Sequence, residues 1–223
     1  MLQELLDLAR QQGADLAGWA ALDRGELTLY SLLKPAEARR YRSALVVGRR
    51  HSDEVLPHPR RLPTTAYNEE YGRLNFQLNA IITFLETFLK SRGVNCRGIA
   101  ASQTVDPTHQ RGLVSHRSLA ERAGLGIRGR NNLLVTVAHR SRIRLASLLT
   151  ELPVPHLPQV CWPVPCSECE VCRKACPAGA IGRQTEDFRL DLCLMYLDRI
   201  HKEEYAPHIC GICLAVCPGI EMV

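Results

Sequence analysis

Along the first half of the chain, apolar positions recur first at helical and then at strand spacing. Leu2, Leu5, Leu6 and Ala9 form a helical stripe that predicts a helix over residues 2–12, closed by Gly13. Residues 14–22 read as a short buried strand, and Pro35 opens a short helix at its first position. The compact apolar run at 43–48 predicts a second strand, and residues 55–63, with three prolines, a surface loop. The longest periodic segment lies at 67–92, where Leu74, Leu78, Ile81, Ile82, Leu85, Phe88 and Leu89 hold one stripe that ends at Gly93. That stripe predicts a core helix. A strand across 94–102 leaves it, with Cys96 as a small buried hydrophobe.

Beyond a polar loop at 106–112, Ser115 or a neighbour is placed to cap a short helix through Ala123. Gly124, Gly126 and Gly129 predict a turn, followed by strands at 133–137 and 142–149. Helices and strands that alternate in this way predict an α+β (α/β-like) domain over residues 1–151. Pro153, Pro155, Pro158, Pro163 and Pro165 then mark a semi-rigid linker at 152–165, which leaves 166–223 as a small second domain.

That second domain carries the clearest chemistry. Cys166, Cys169, Cys172 and Cys176 are followed by Pro177; Cys210, Cys213 and Cys217 are followed by Pro218; and Cys193 stands alone between them. The first run is the bacterial ferredoxin spacing, in which the fourth cysteine serves the other cluster. Applied here, the swap assigns Cys166, Cys169, Cys172 and Cys217 to one 4Fe-4S cluster and Cys176, Cys193, Cys210 and Cys213 to a second. Two-residue gaps let a tight loop meet three iron corners, a distant thiolate closes the fourth, and the prolines turn the backbone away. Disulfides or structural zinc are the plainer alternatives. Zinc asks for paired C-x2-C units, and neither alternative accounts for evenly spaced triplets with a Cys-Pro ending twice.

Composition narrows the class. Of the 223 residues, 46% are hydrophobic and 23% charged, values ordinary for a water-soluble globular chain. No apolar run approaches a membrane span, and the acidic N-terminus is unlike a signal peptide. Reduced thiols on this scale point to the cytoplasm. The net charge is +5. Eight arginines fall between Arg111 and Arg144 with Glu121 as the sole acid, a stretch suited to phosphate or to a solvated basic face.

Outside the cysteines, the turn at 124–129 with its flanking Arg128, Arg130, Asn131 and Asn132 is the candidate wall for a second cofactor. Its letters match G-x-G-x-x-G, but it follows a helix and opens a strand, and no acid stands about 20 residues on, so the dinucleotide reading fails. Asp106 reads as a turn residue or a general acid, His116 as a packed or a ligand-facing side chain, and Cys161 and Trp162 as a shield for the clusters.

The block "LAERAGLGIRGRNNLL", followed by "CSECEVCRKACPAGAI", the lone Cys193 and "CGICLAVCP", resembles the epoxyqueuosine reductases and their reductive-dehalogenase relatives over roughly residues 115–218. The resemblance implies a corrinoid domain of the flavin-reductase or cobalamin-processing kind followed by a ferredoxin-type double-cluster domain. It also implies cobalamin as a cofactor, one-electron supply from a flavodoxin or ferredoxin-like donor, and a small-molecule substrate or corrinoid as partner. On it, Ser115, His116, Gly126, Arg128, Gly129 and Asn131 become the expected corrinoid contacts. The family's proton-donating aspartate, nine residues before Leu119, is Gln110 here, and Asp106 takes the role if the loop carries an insertion. The chain ends at Val223, six residues after Cys217, without the family's C-terminal helical-repeat region, so tRNA is not expected as partner. The expected function is a cobalamin-dependent iron–sulfur reductase; the alternatives are an electron-transfer or corrinoid-handling protein without catalysis of its own, or a flavin site in the first domain.

Overall fold

Helical stripes and apolar runs settle into α1 (Leu2–Gln11), β1 (Leu16–Ala21), α2 (Pro35–Ala38), β2 (Ser43–Arg50), α3 (Thr65–Ser91) and β3 (Cys96–Ile99). After these come β4 (Thr104–Asp106), β5 (Arg111–Gly112), α4 (His116–Arg122), β6 (Ile127–Arg128), β7 (Leu134–Val135) and β8 (Ile143–Thr150). The cysteine region adds α5 (Val171–Ala175), α6 (Leu190–Glu204) and α7 (Ile212–Ala215). The computed structural model describes residues 1–23, 25–58, 61–156, 166, 168–204 and 208–219. Cys161, Trp162 and the linker from 157 to 165 lie outside the described residues.

Packing divides the chain into two units. The first takes Met1–Arg49, Leu74–Leu125 and Arg144–Val160, and the second Arg50–Arg73, Gly126–Ile143 and Cys161–Val223. Each unit gathers three separate stretches of sequence, and the division at 1–151 and 166–223 stands as a proposal.

The first unit is built on a four-stranded sheet of order β1-β2-β8-β3. β1 and β2 are antiparallel, with Leu16 opposite Gly48 and Ala21 opposite Ser43, and β3 and β8 are antiparallel from Cys96–Thr150 to Ile99–Ser147. The α3 stripe supplies Leu78, Ile81, Ile82, Leu85 and Leu89 to the core, where they meet Leu45 and Val47 of β2, Leu148 of β8, Trp19 of β1 and Leu5 of α1. Cys96 is buried in this cluster, as its apolar surroundings in sequence predict. The expected loop at 106–112 is a small β4–β5 hairpin, with Thr104 opposite Gly112. Its strands are too short and too polar for periodicity to register.

In the second unit, the strand expected at 133–137 shortens to β7, which pairs with β6 through Ile127–Val135 and Arg128–Leu134. Thr136 turns the chain back, its N–H bonding the Arg140 carbonyl at 2.8 Å. Buried Leu134, Val135, Ile181, Ile200, Ile212 and Leu214 make up much of this unit's apolar interior. No helix among the described residues is long and apolar enough to cross a membrane.

Candidate metal centre

Short helices bring the cysteines together. α5 carries Cys172 and ends at Cys176, whose extended backbone (φ −70°, ψ 113°) suits the proline that follows. α7 carries Cys213 and stops two residues short of Cys217. Cys166, Cys169, Cys172 and Cys217 line one void together with Arg130, Asn131, Val135, Pro218 and Gly219. Burial pushes the Cys172 thiol up to about 11, and the charges of Cys217, Cys166 and Cys169 add to the shift. A second group forms around Cys193 on α6. Burial raises that thiol to about 11, helped by Cys210 and Cys176. The Cys213 thiol is raised well above its ordinary range, by burial and then by Cys210, Cys193 and Cys176. Cys217 therefore keeps company with the first triplet, and Cys176 with the cysteines far from it in sequence.

These groups fit iron–sulfur clusters. Buried thiols that raise one another's pKa hold their protons until a metal centre replaces them as counter-charge. The described cysteines are all free of disulfides. Among the described residues, no three metal-ligating side chains close on a single ion.

The β6–β7 hairpin supports this region from beside it. A Cβ at Gly126 would fall on the Val135 carbonyl oxygen, so closure of the hairpin itself demands glycine there. The Gly129 N–H bonds the Leu133 carbonyl at 2.9 Å, and Arg128 Nε donates to Asn132 Oδ1 at 3.0 Å. Arg130 and Asn131 at the turn are only 6% and 3% exposed. Arg130 Nη1 donates to the Cys169 carbonyl at 2.7 Å, and Asn131 Nδ2 to the Cys213 carbonyl at 3.2 Å. Asn131 Oδ1 also accepts from the Leu133 N–H at 3.2 Å. Further along, Ser141 Oγ donates to the Leu214 carbonyl at 3.2 Å and Arg142 Nη2 to the Ala215 carbonyl at 3.1 Å, which satisfies carbonyls at the end of α7. Sequence reasoning took this arginine-rich stretch for a phosphate-binding or solvated face and missed these contacts. The signal available was the two consecutive polar residues, Arg130 and Asn131, that follow a turn of glycines.

The remaining expected residues lie in the first unit. Ser115 is the N-cap of α4, its Oγ accepting from the Ser118 N–H at 3.2 Å. His116 uses both ring nitrogens inside the unit, with Nε2 3.2 Å from the Ala100 carbonyl and Nδ1 2.9 Å from Ser147 Oγ. The carbonyl can only accept, so Nε2 carries the proton and the Ser147 hydroxyl donates to Nδ1. Burial lowers the imidazole to about 4; the Ala100 contact opposes the shift and Arg144 assists it. Because the folded-state pKa is lowered, this stabilisation is complete above the ordinary histidine value of about 6.5 and is lost as pH falls toward 4, a loss of about 3 kcal/mol. An NMR titration should place the His116 imidazole near 4, with unfolding free energy falling across that window; an ordinary pKa near 6.5 would contradict the assignment.

Asp106 sits in the β4–β5 hairpin. Its Oδ2 lies 2.8 Å from His109 Nδ1 and its Oδ1 accepts from the His109 N–H at 3.1 Å. The His109 side chain holds this carboxyl below its usual range. A proton donor at neutral pH needs the opposite shift, and the geometry is that of a turn-forming aspartate. Of the residues expected to meet a corrinoid, Ser115, His116 and Asn131 are thus engaged inside the protein, Arg128 is tied to Asn132, and Gly126 serves the hairpin. The expectation that they meet a corrinoid stands as a proposal.

No family model matches the chain. Among curated proteins, the epoxyqueuosine reductase of Listeria monocytogenes is 33% identical over 152 residues, covering 61% of this chain and 36% of that protein. The Salmonella typhimurium epoxyqueuosine reductase is 31% identical over 172 residues, 70% of this chain and 41% of its own length. The chain is related to the epoxyqueuosine reductases. It spans little more than a third of the length of the curated epoxyqueuosine reductases it matches first. In fold, it covers 97% of its own length against the Bacillus subtilis epoxyqueuosine reductase structure, at a TM-score of 0.63 and 20% identity. The catabolic reductive dehalogenase NpRdhA in complex with 3-bromo-4-hydroxybenzoic acid matches 96% of the chain and 31% of its own, at a TM-score of 0.75 and 19% identity. The mixed α/β architecture is thus common to both kinds of reductase.

Proposed function

We propose that this chain is an iron–sulfur reductase that holds two 4Fe-4S clusters and works with a corrinoid on a substrate still to be assigned. The observation that carries the reading is the void lined by Cys166, Cys169, Cys172 and Cys217. When bound, the clusters supply one-electron transfer and a corrinoid supplies the reducing centre that meets the substrate. The chain's own part is to gather the eight thiols and to brace their loops through Arg130, Asn131, Ser141 and Arg142. The corrinoid half draws its support from a relative: the structure of one reductive dehalogenase of this fold suggests a mechanism for B12-dependent dehalogenation. The division into a cofactor domain at 1–151 and a cluster domain at 166–223, a cytoplasmic setting and an external one-electron donor belong to the same proposal.

One observation favours a second reading. With Asp106 held as a carboxylate by His109, the candidate proton donor is poorly suited to that task, as expected of a chain that reduces or hands on a corrinoid for a partner. Gel filtration of the anaerobic chain after incubation with hydroxocobalamin tests the corrinoid that both readings share. Co-elution of corrinoid with an iron-loaded protein is the expected result. An iron-loaded chain that retains no corrinoid would be an electron carrier, and a flavin in the extracted cofactor would overturn the corrinoid assignment.

A further inference from the structure

Arg130 brings a cation to one group of thiols. Its side chain lines the void of Cys166, Cys169, Cys172 and Cys217, and it is almost wholly buried there. Nη1 is fixed by the Cys169 carbonyl at 2.7 Å. The Arg130 backbone N–H also bonds the Cys166 thiol. The same turn meets the second group's loop with a neutral amide instead, Asn131 Nδ2 donating to the Cys213 carbonyl at 3.2 Å.

We propose that Arg130 makes the two cluster sites unequal, so that the site of Cys166, Cys169, Cys172 and Cys217 accepts an electron at the higher potential. The inference rests on the iron–sulfur reading given above. Reduction adds one negative charge to a cluster. A buried guanidinium and an N–H donor beside its thiolates stabilise the reduced form more than the oxidised form, which raises the potential. The guanidinium loses little of this effect to screening because the site is buried. Glu170 also senses Arg130, but it is bound by Arg173 at 2.9 Å and has a positive partner of its own. With Arg130 in place, an electron entering the protein rests on the first site, and the second site is the stronger reductant of the two. Arg130 is in this sense a positioning residue for charge. Its neighbour Asn131, bonded to the Cys213 carbonyl, ties the same turn to the second site's loop.

The test is an anaerobic redox titration followed by EPR on the wild type, Arg130→Gln and Arg130→Lys, with iron counted in each. In Arg130→Gln, iron content should stay at the wild-type level and one of the two midpoints should fall. At a fixed potential the reduced-to-oxidised ratio of that cluster should drop about tenfold, equivalent to about 59 mV for one electron, and the other midpoint should not move. Arg130→Lys keeps the charge and should restore most of the loss. Full iron with both midpoints unchanged in Arg130→Gln overturns the inference. Should the glutamine variant lose iron, Arg130→Lys decides: a loaded lysine variant with the wild-type separation of midpoints supports the charge role, and one in which the midpoints have converged overturns it. A wild-type chain without iron would instead remove the cluster reading beneath the inference.

Discussion

Replacing Cys193 with serine is expected to cut the iron content from about eight to about four per chain, since two clusters of four irons are in question. Cys193 sits on α6, its N–H bonded to the Arg189 carbonyl at 3.2 Å, and its thiol shares charge effects with Cys210 and Cys176. The first group, Cys166, Cys169, Cys172 and Cys217, is complete without it. The surviving EPR signal of the reduced protein should therefore be that of one cluster. Loss of all iron would carry its own meaning. α5 bears Cys172 and is capped by Cys176, and α7 bears Cys213 shortly before Cys217, so both short helices touch both groups. Total loss would mean that these helices fold only when both sites are loaded. Retention of all eight irons would remove Cys193 from the ligand set.

The second large effect is expected at Gly211, in the turn between Cys210 and Cys213. Its φ of +72° lies in the left-handed region, and a Cβ there would fall on the Tyr67 hydroxyl. Gly211→Ala thus combines backbone strain with a steric clash against a side chain that is itself 3% exposed. The two costs together come to about 3 kcal/mol. Because the strain falls between two cluster ligands, iron should be lost from the second site before the first. Tyr67→Phe removes the hydroxyl but leaves the Cζ and Cε1 ring carbons in the path of the added methyl group, so the double variant should recover little of the stability or the iron. Chemical denaturation of the single and double variants, with iron counted in each, measures both effects. A single variant within 0.5 kcal/mol of wild type, the size of an ordinary surface change, would refute this account of the turn.

What sequence made legible follows from where periodicity is strong. The α3 stripe runs through Leu74, Leu78, Ile81, Ile82, Leu85 and Leu89 because one face of a long helix meets the sheet, and all six residues are buried. β1, β2 and β8 were visible for the same reason. The cysteine groups were legible because iron chemistry fixes ligand spacing independently of the surrounding fold. The β4–β5 hairpin and β6 were not, since strands of two or three residues leave no period. The letters of the glycine-rich turn describe backbone freedom but not its cause: at Gly126 the cause is the Val135 carbonyl. The partners of Arg130 and His116 were not legible for a related reason. A polar residue's partners come from distant stretches, Cys169 for Arg130 and Ala100 and Ser147 for His116, and local pattern carries no record of them.

Iron and acid-labile sulfide, counted on the anaerobically isolated chain alongside its low-temperature EPR spectrum after reduction, test the central claim most directly. The account predicts about eight of each per chain and signals from two reduced 4Fe-4S centres. Zinc in place of iron, or an iron content for a single cluster with all eight cysteines intact, would contradict it.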